Sequence, residues 1–203
     1  MNFKRTSLKY RDGRRYVHGS DIFQCAMELF PGLENQRTIV DLHRPTSTPF
    51  KFVAPSDVSD SKNSPLFSVK TFQAQKCQEW IAVPVSEAIE IENVQSSCKL
   101  SAEVHSSTGF EALSGAEQIA DLIHDLVLAI KSHRQQHAYR DPLMIRRIEA
   151  DHRFFATGGW IQGTWKDLKM GAERWTFVRP ECPDALLTMT GLPMRGHRGE
   201  PLA

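Results

Sequence analysis

The chain contains no run of about 18 uninterrupted apolar residues, the length that a membrane-spanning helix needs. Its most apolar stretch, residues 119–130, is broken by Asp121, His124 and Asp125, so a spanning helix is excluded. No apolar run follows the basic Lys4, Arg5, Lys9 and Arg11; the segment does not read as a secretory signal, and a cytoplasmic location is expected. An excess of one charge is also lacking. Lys plus Arg number 25 and Asp plus Glu 24, for a formal net charge of +1, which argues against a dedicated basic nucleic-acid coat and against an acidic solvating tail. The cysteines Cys25, Cys77, Cys98 and Cys182 include no pair at C-x-x-C spacing. A thiol metal site wants such pairs, so free thiols are expected instead. No G-x-S-x-G elbow, Walker A run or G-x-G-x-x-G is present, and the serine-hydrolase and nucleotide-binding readings therefore lack their motifs.

What is present suffices for a folded protein. Hydrophobic residues make up 40%, with eleven Phe and four Trp, enough to fill a core in one domain or two small ones. Charge is segregated along the chain: a basic block at residues 1–15, an acidic one at 86–125 and a second basic one at 126–179. Such blocks steer charged ligands or mate two surfaces, and they also arise as plain solvated faces.

A first helix is predicted over residues 20–30. Ser20 and Asp21 are N-cap types, Gln24 follows three residues after Asp21, and Ile22, Phe23, Ala26, Leu29 and Phe30 share one helical face before Pro31-Gly32. Strands are expected near 3–10, 38–43, 50–53, 66–72, 79–83 and 87–94, with a polar loop at 55–65. Residues 98–105 alternate strictly, placing Cys98, Leu100, Ala102 and Val104 on the apolar side. Ser114 to Glu117 then reads as a capping box opening a helix to about residue 136. Its stripe is Ile119, Leu122, Ile123, Leu126, Val127 and Ile130, with Asp121 and Asp125 opposite. Strands near 143–156, 159–166 and 173–179 follow, and the proline-bearing segment from Pro180 reads as a loosely attached tail.

Several residues could carry chemistry. His18 stands just before the first helix, where amide dipoles could hold a carbonyl ligand; a loop histidine bonded to water is the plainer alternative. Asp21 could act as a general base beside it, or serve simply as the cap. His133 and His137 have the i, i+4 spacing of paired metal ligands, but no H-E-x-x-H accompanies them, and a helix C-terminus favours histidine on its own account. No metal or other cofactor is therefore expected. Asp41 with His43, and Glu103 with His105, share strand faces and could each form a carboxylate–imidazole couple. Arg146, Arg147 and Arg153 lie near Phe154, Phe155 and Trp160, the mixture that tracks single-stranded nucleic acid, or else the core side of a hairpin.

Strand, helix and antiparallel strands occur twice in series. Together with the run Tyr16-Val17-His18-Gly19-Ser20-Asp21-Ile22-Phe23, this resembles the His-Gly entry to the central helix in hotdog-fold thioesterases and dehydratases. His152-Arg153-Phe154-Phe155 and the segment from Trp160 to Trp165 resemble two sheet strands of that fold. The resemblance implies an α+β fold in which an antiparallel sheet wraps a long helix, here as a double hotdog-like chain. Its halves would be residues 1–96 and 97–180, with 181–203 as an irregular tail. It further implies an acyl thioester of coenzyme A or of acyl carrier protein as ligand, and a possible homodimer through paired hotdogs. Under it His18, Asp21 and Glu28 are the catalytic candidates, and Gly19, Ser20 and Arg153 the substrate contacts. The second half has no His-Gly at its helix entry, so at most one half retains this feature. The competing expectation is a non-enzymatic binding module or complex subunit, contacting a partner through the charged blocks or single-stranded nucleic acid through the arginine-rich hairpin.

Overall fold

The computed structural model describes residues 9–11, 17–28, 37–44, 47–48, 50–58, 64–73, 76–85, 92–94, 100–114, 118–137, 141–156 and 158–194. In chain order the elements are β1 (Lys9–Arg11), α1 (Gly19–Glu28), β2 (Arg37–Leu42), β3 (Phe50–Val53), β4 (Phe67–Gln73), β5 (Lys76–Pro84), β6 (Glu92–Val94), β7 (Leu100–Ser106), β8 (Gly109–Ser114), α2 (Ile119–Gln136), β9 (Leu143–Asp151), α3 (Arg153–Ala156), β10 (Trp160–Asp167), β11 (Glu173–Arg179) and β12 (Cys182–Pro193). Ten strands form one sheet in the order β3-β5-β4-β2-β9-β12-β11-β10-β8-β7, and β1 pairs with β6 separately.

The sheet has one face on the core and one toward water, as an antiparallel sheet permits. Where the two series meet, β2 runs antiparallel to β9 with Val40 opposite Ile148 and Thr38 opposite Ala150. These four are inward and buried. The alternate positions face out as a charged ladder, in which Arg37 bonds Glu149, and Arg147 reaches both Glu149 and Asp41. Along α2, residues 122–127 are all buried, so this helix is surrounded rather than laid on a surface. Helix α1 packs against it and against β2. At its far end Arg134 forms a buried ion pair with Glu173 of β11 and donates to the Asp141 carbonyl, tying the helix to the sheet. The neighbouring strands β8 and β10 meet so closely that a Cβ on Gly109 would lie 1.9 Å from the Gly163 carbonyl oxygen.

In the second series β8 precedes α2, and β9, β10, β11 and β12 join β8 in the sheet order β8-β10-β11-β12-β9, the strand, helix and antiparallel sheet that the resemblance implies. The first series is not a copy. Its strand before the helix, β1, pairs with β6 outside the main sheet, and β2 is flanked by β4, with β5 and then β3 beyond. The two series therefore share the succession of elements but not the connectivity.

The structure departs from five expectations. The segment after Pro180 is not a loose tail: residues 182–193 form β12, which lies between β9 and β11 near the middle of the sheet. The capping box does not form, because Ser114 is the last residue of β8 and α2 starts at Ile119, with Gln118 as a cap whose side chain makes no capping bond. Asp125, assigned to a polar face, is 1% exposed and accepts a hydrogen bond from the Ser114 hydroxyl at 2.9 Å. Val104, assigned to the covered side of β7, is 61% exposed, whereas His105 turns inward against Phe110 and His133. The strand expected over 143–156 stops at Asp151, and residues 153–156 make the short helix α3. The turn Pro31-Gly32, Cys98 and the expected strand residues 3–8 and 87–91 lie outside the described residues.

Candidate functional site

The His18 carbonyl begins helix α1 by accepting the backbone N–H groups of Asp21 and Ile22, each at 3.1 Å. The amides of Gly19 and Ser20 come before the first helical hydrogen bond and point out of the helix end, where the peptide dipoles favour negative charge. The imidazole is fixed from two sides. Its Nδ1 lies 2.9 Å from the Ser20 hydroxyl oxygen, and its ring meets that of His124 edge-on at a centroid distance of 5.0 Å. Gly19 brings the helix end close to β2, since a Cβ there would approach Leu42 Cδ1 to 2.8 Å.

This helix end opens into a cavity of about 290 Å³. Its apolar walls come from α1 (Ile22), from α2 (Ile123 and Val127) and from the inner face of the sheet (Leu42 and Ile148); His18, Gly19 and Ser20 form its polar end. Lys131, Arg44 and Arg146 also line it. Size and lining are those of a small-molecule site, apolar with a few convergent polar groups. The mirrored helix end is occupied: the backbone N–H of Ala120, in the first turn of α2, donates to Gln24 Oε1 of α1 at 3.0 Å.

Of the six residues singled out for catalysis or binding, the structure brings His18, Gly19 and Ser20 to the cavity. Asp21 is buried in the first turn of α1, but outside the lining, where its charge suits the helix dipole. Glu28 is exposed at the other end of the helix and accepts a hydrogen bond from Gln24 at 2.8 Å. Arg153 is exposed beside α3, clasped by Asp151 at 2.7 Å. A cavity at the N-terminus of a ten-residue helix cannot recruit a side chain from its C-terminus, which removes Glu28; Arg153 is held by its own carboxylate elsewhere.

The remaining candidates disperse. His133 and His137 stack at 4.2 Å with an interplanar angle of 25° rather than converging on a point. Among the described residues no group of three His, Cys, Asp or Glu is placed to hold a metal ion. Asp41 is engaged by Arg147 instead of His43. The side chain of Glu103 is outside the described residues, which leaves its couple with His105 undefined. In the arginine-rich hairpin, Arg147 and Arg153 are paired with carboxylates, Arg146 lines the cavity and Phe154 is buried, while Trp160 is exposed.

Sequence reasoning missed Arg44, Lys131 and Arg146 at the cavity, His124 against the ring of His18, and the buried Asp125 beside it in α2. The interruptions of the apolar run at His124 and Asp125 were the available signal, since polar residues inside a helix buried all round are held there by partners.

No family model matches the chain, and no curated protein matches it. Solved structures do. A conserved protein of unknown function with a hotdog fold from Alicyclobacillus acidocaldarius is 10% identical, with 96% of each chain covered and a TM-score of 0.46. The acyl-CoA thioesterase II TesB2 from Mycobacterium marinum is 9% identical over 90% of this chain and 91% of its own, at a TM-score of 0.49. The dehydratase domain of MlnD from Bacillus amyloliquefaciens is 9% identical over 89% and 85%, at 0.43. No helix among the described residues is long and apolar enough to cross a membrane.

Proposed function

We propose that the chain binds an acyl thioester, of coenzyme A or of acyl carrier protein, and hydrolyses it, as a protein of the cytoplasm. The observation that carries this reading is the cavity itself: apolar walls for a chain, closed at one end by the α1 N-terminus, with His18 and Ser20 beside the outward-pointing amides. A thioester carbonyl seated there places its oxygen against the Gly19 and Ser20 amides, which stabilise the negative charge that develops as water adds to the carbonyl carbon. His18 takes the proton from that water and returns it to the departing sulfur, so the products are a carboxylic acid and a thiol. Ser20 and His124 hold the imidazole in place from two sides, which keeps the base oriented.

The test combines binding and turnover. A ligand that binds only the folded state stabilises it by about 2.7 kcal/mol at a hundredfold excess over its dissociation constant, and so raises the unfolding midpoint. Straight-chain acyl-coenzyme A thioesters should raise it, a short oligonucleotide should not, and free thiol should be released. His18→Ala should cut turnover about a hundredfold or more with the unfolding midpoint in the absence of ligand retained. Unchanged turnover in that variant removes His18 from the reaction; a shift with the oligonucleotide alone removes the thioester reading.

A further inference from the structure

The three cations of the cavity have no part in that hydrolysis. Arg44 lies two residues beyond the end of β2 and is exposed, and Arg146 is the residue of β9 passed over where its register with β12 shifts. Lys131 extends the line of Ile123 and Val127 along α2 at four-residue steps, where the helical period calls for an apolar side chain. All three line the cavity, and among the described residues no Asp or Glu does. Arg44 donates to the Ser64 carbonyl at 2.9 Å and Arg146 to the His43 carbonyl at 2.6 Å. Both acceptors are neutral, so neither guanidinium charge is balanced there.

We propose that the ligand carries an oxyanion besides the group held at His18, bound by Arg44, Arg146 and Lys131. That the group at His18 is a thioester rests on the reading above; the oxyanion site does not. A carboxylate at the far end of the acyl chain, or a phosphate on the carrier's pantetheine arm, supplies the same chemistry, and both accept the forked bonds a guanidinium offers.

The experiment compares matched ligands on the whole chain. Octanoyl and octanedioyl thioesters of N-acetylcysteamine differ by one terminal carboxylate. Octanoyl thioesters of pantetheine and of phosphopantetheine differ by one phosphate. Charge-assisted hydrogen bonds of this kind correspond to about tenfold or more in affinity. One of the two additions should tighten binding by that factor, the gain should fall as salt is raised, and it should disappear in Arg44→Gln combined with Lys131→Gln but persist in Arg44→Lys. The pair showing the gain identifies the source. Should neither addition tighten binding to the unmodified protein, or should the gain survive loss of both charges, the proposal is overturned. Binding of free octanedioate that depends on Arg44, with no thioester hydrolysed, would retain the oxyanion site and discard the thioester reading.

Discussion

His133 stacks on His137, stands edge-on to Trp175 at 5.1 Å and lies 5.7 Å from His105. Burial, with the repulsion of His137 and then His105, lowers its pKa from 6.5 to about 4. The folded protein thus holds this ring neutral where an unfolded chain would protonate it. Between pH 6.5 and 4 the unfolded state binds more protons, and stability therefore falls as pH falls through that window. The contribution of His133 between pH 7.5 and 5 is about 2 kcal/mol. His152, whose Nε2 is 2.9 Å from the Thr38 hydroxyl, is also shifted downward by burial and acts in the same direction. Chemical denaturation at the two pH values should show a loss that shrinks by most of that amount in His133→Phe. An equal loss in the variant would assign the acid sensitivity to other groups. Residues of this kind are only half legible in sequence. The i, i+4 spacing of His133 and His137 stood out, but nothing in it distinguishes stacked rings in a core from ligands on a metal. Likewise His18 was found because it precedes a helix, whereas Arg44 carried no signal and Arg146 stood out only beside Arg147 and Arg153; their meeting at one cavity is a product of the fold.

Between elements, the decisive contact joins the two helices. Gln24 of α1 reaches the Ala120 amide and so caps α2 from outside its own sequence, while the N-cap residue Gln118 contributes no side-chain bond. Losing a cap costs about 1 kcal/mol. Gln24→Leu should therefore lower the melting midpoint by about 2–4 °C in a chain of this size; an unchanged midpoint would show that water or Gln118 replaces the cap at no cost. The same contact explains why the start of α2 was misplaced. Ser114 and Glu117 have the spacing of a capping box, but β8 pairs with β10 as far as Leu113 and with β7 as far as Ser114, and the Ser114 hydroxyl is used on Asp125 instead. Local cap chemistry lost to sheet pairing. By contrast β10 and β11 were placed closely because Gly158-Gly159 and the segment ending at Gly171 mark their turns, and both Gly159 and Gly171 have positive φ.

For the molecule as a whole, the least legible strand is the one on which the sheet depends. In β12 the buried residues Ala185, Leu187, Met189 and Gly191 alternate with Leu186, Thr188, Thr190 and Leu192. Of its outward positions only Asp184 is charged and the others are apolar or Thr, so composition shows no clear alternation. Pro183 and Pro193 near its ends reinforced the reading as a tail, although proline at a strand terminus removes little from the ladder. In the structure this strand holds β11 on one side and β9 on the other. Without it, β9 and the first series would separate from β8, β10 and β11, exposing the inner face that Leu187 and Met189 now seal. A chain ending at residue 180 should therefore fail to fold, giving no cooperative unfolding transition and binding a dye for exposed apolar surface. A chain ending at residue 194 should keep both the transition and the midpoint. If the shorter chain melts cooperatively, the two series are separable domains, and the sheet continuous across β2 and β9 is not what unites them.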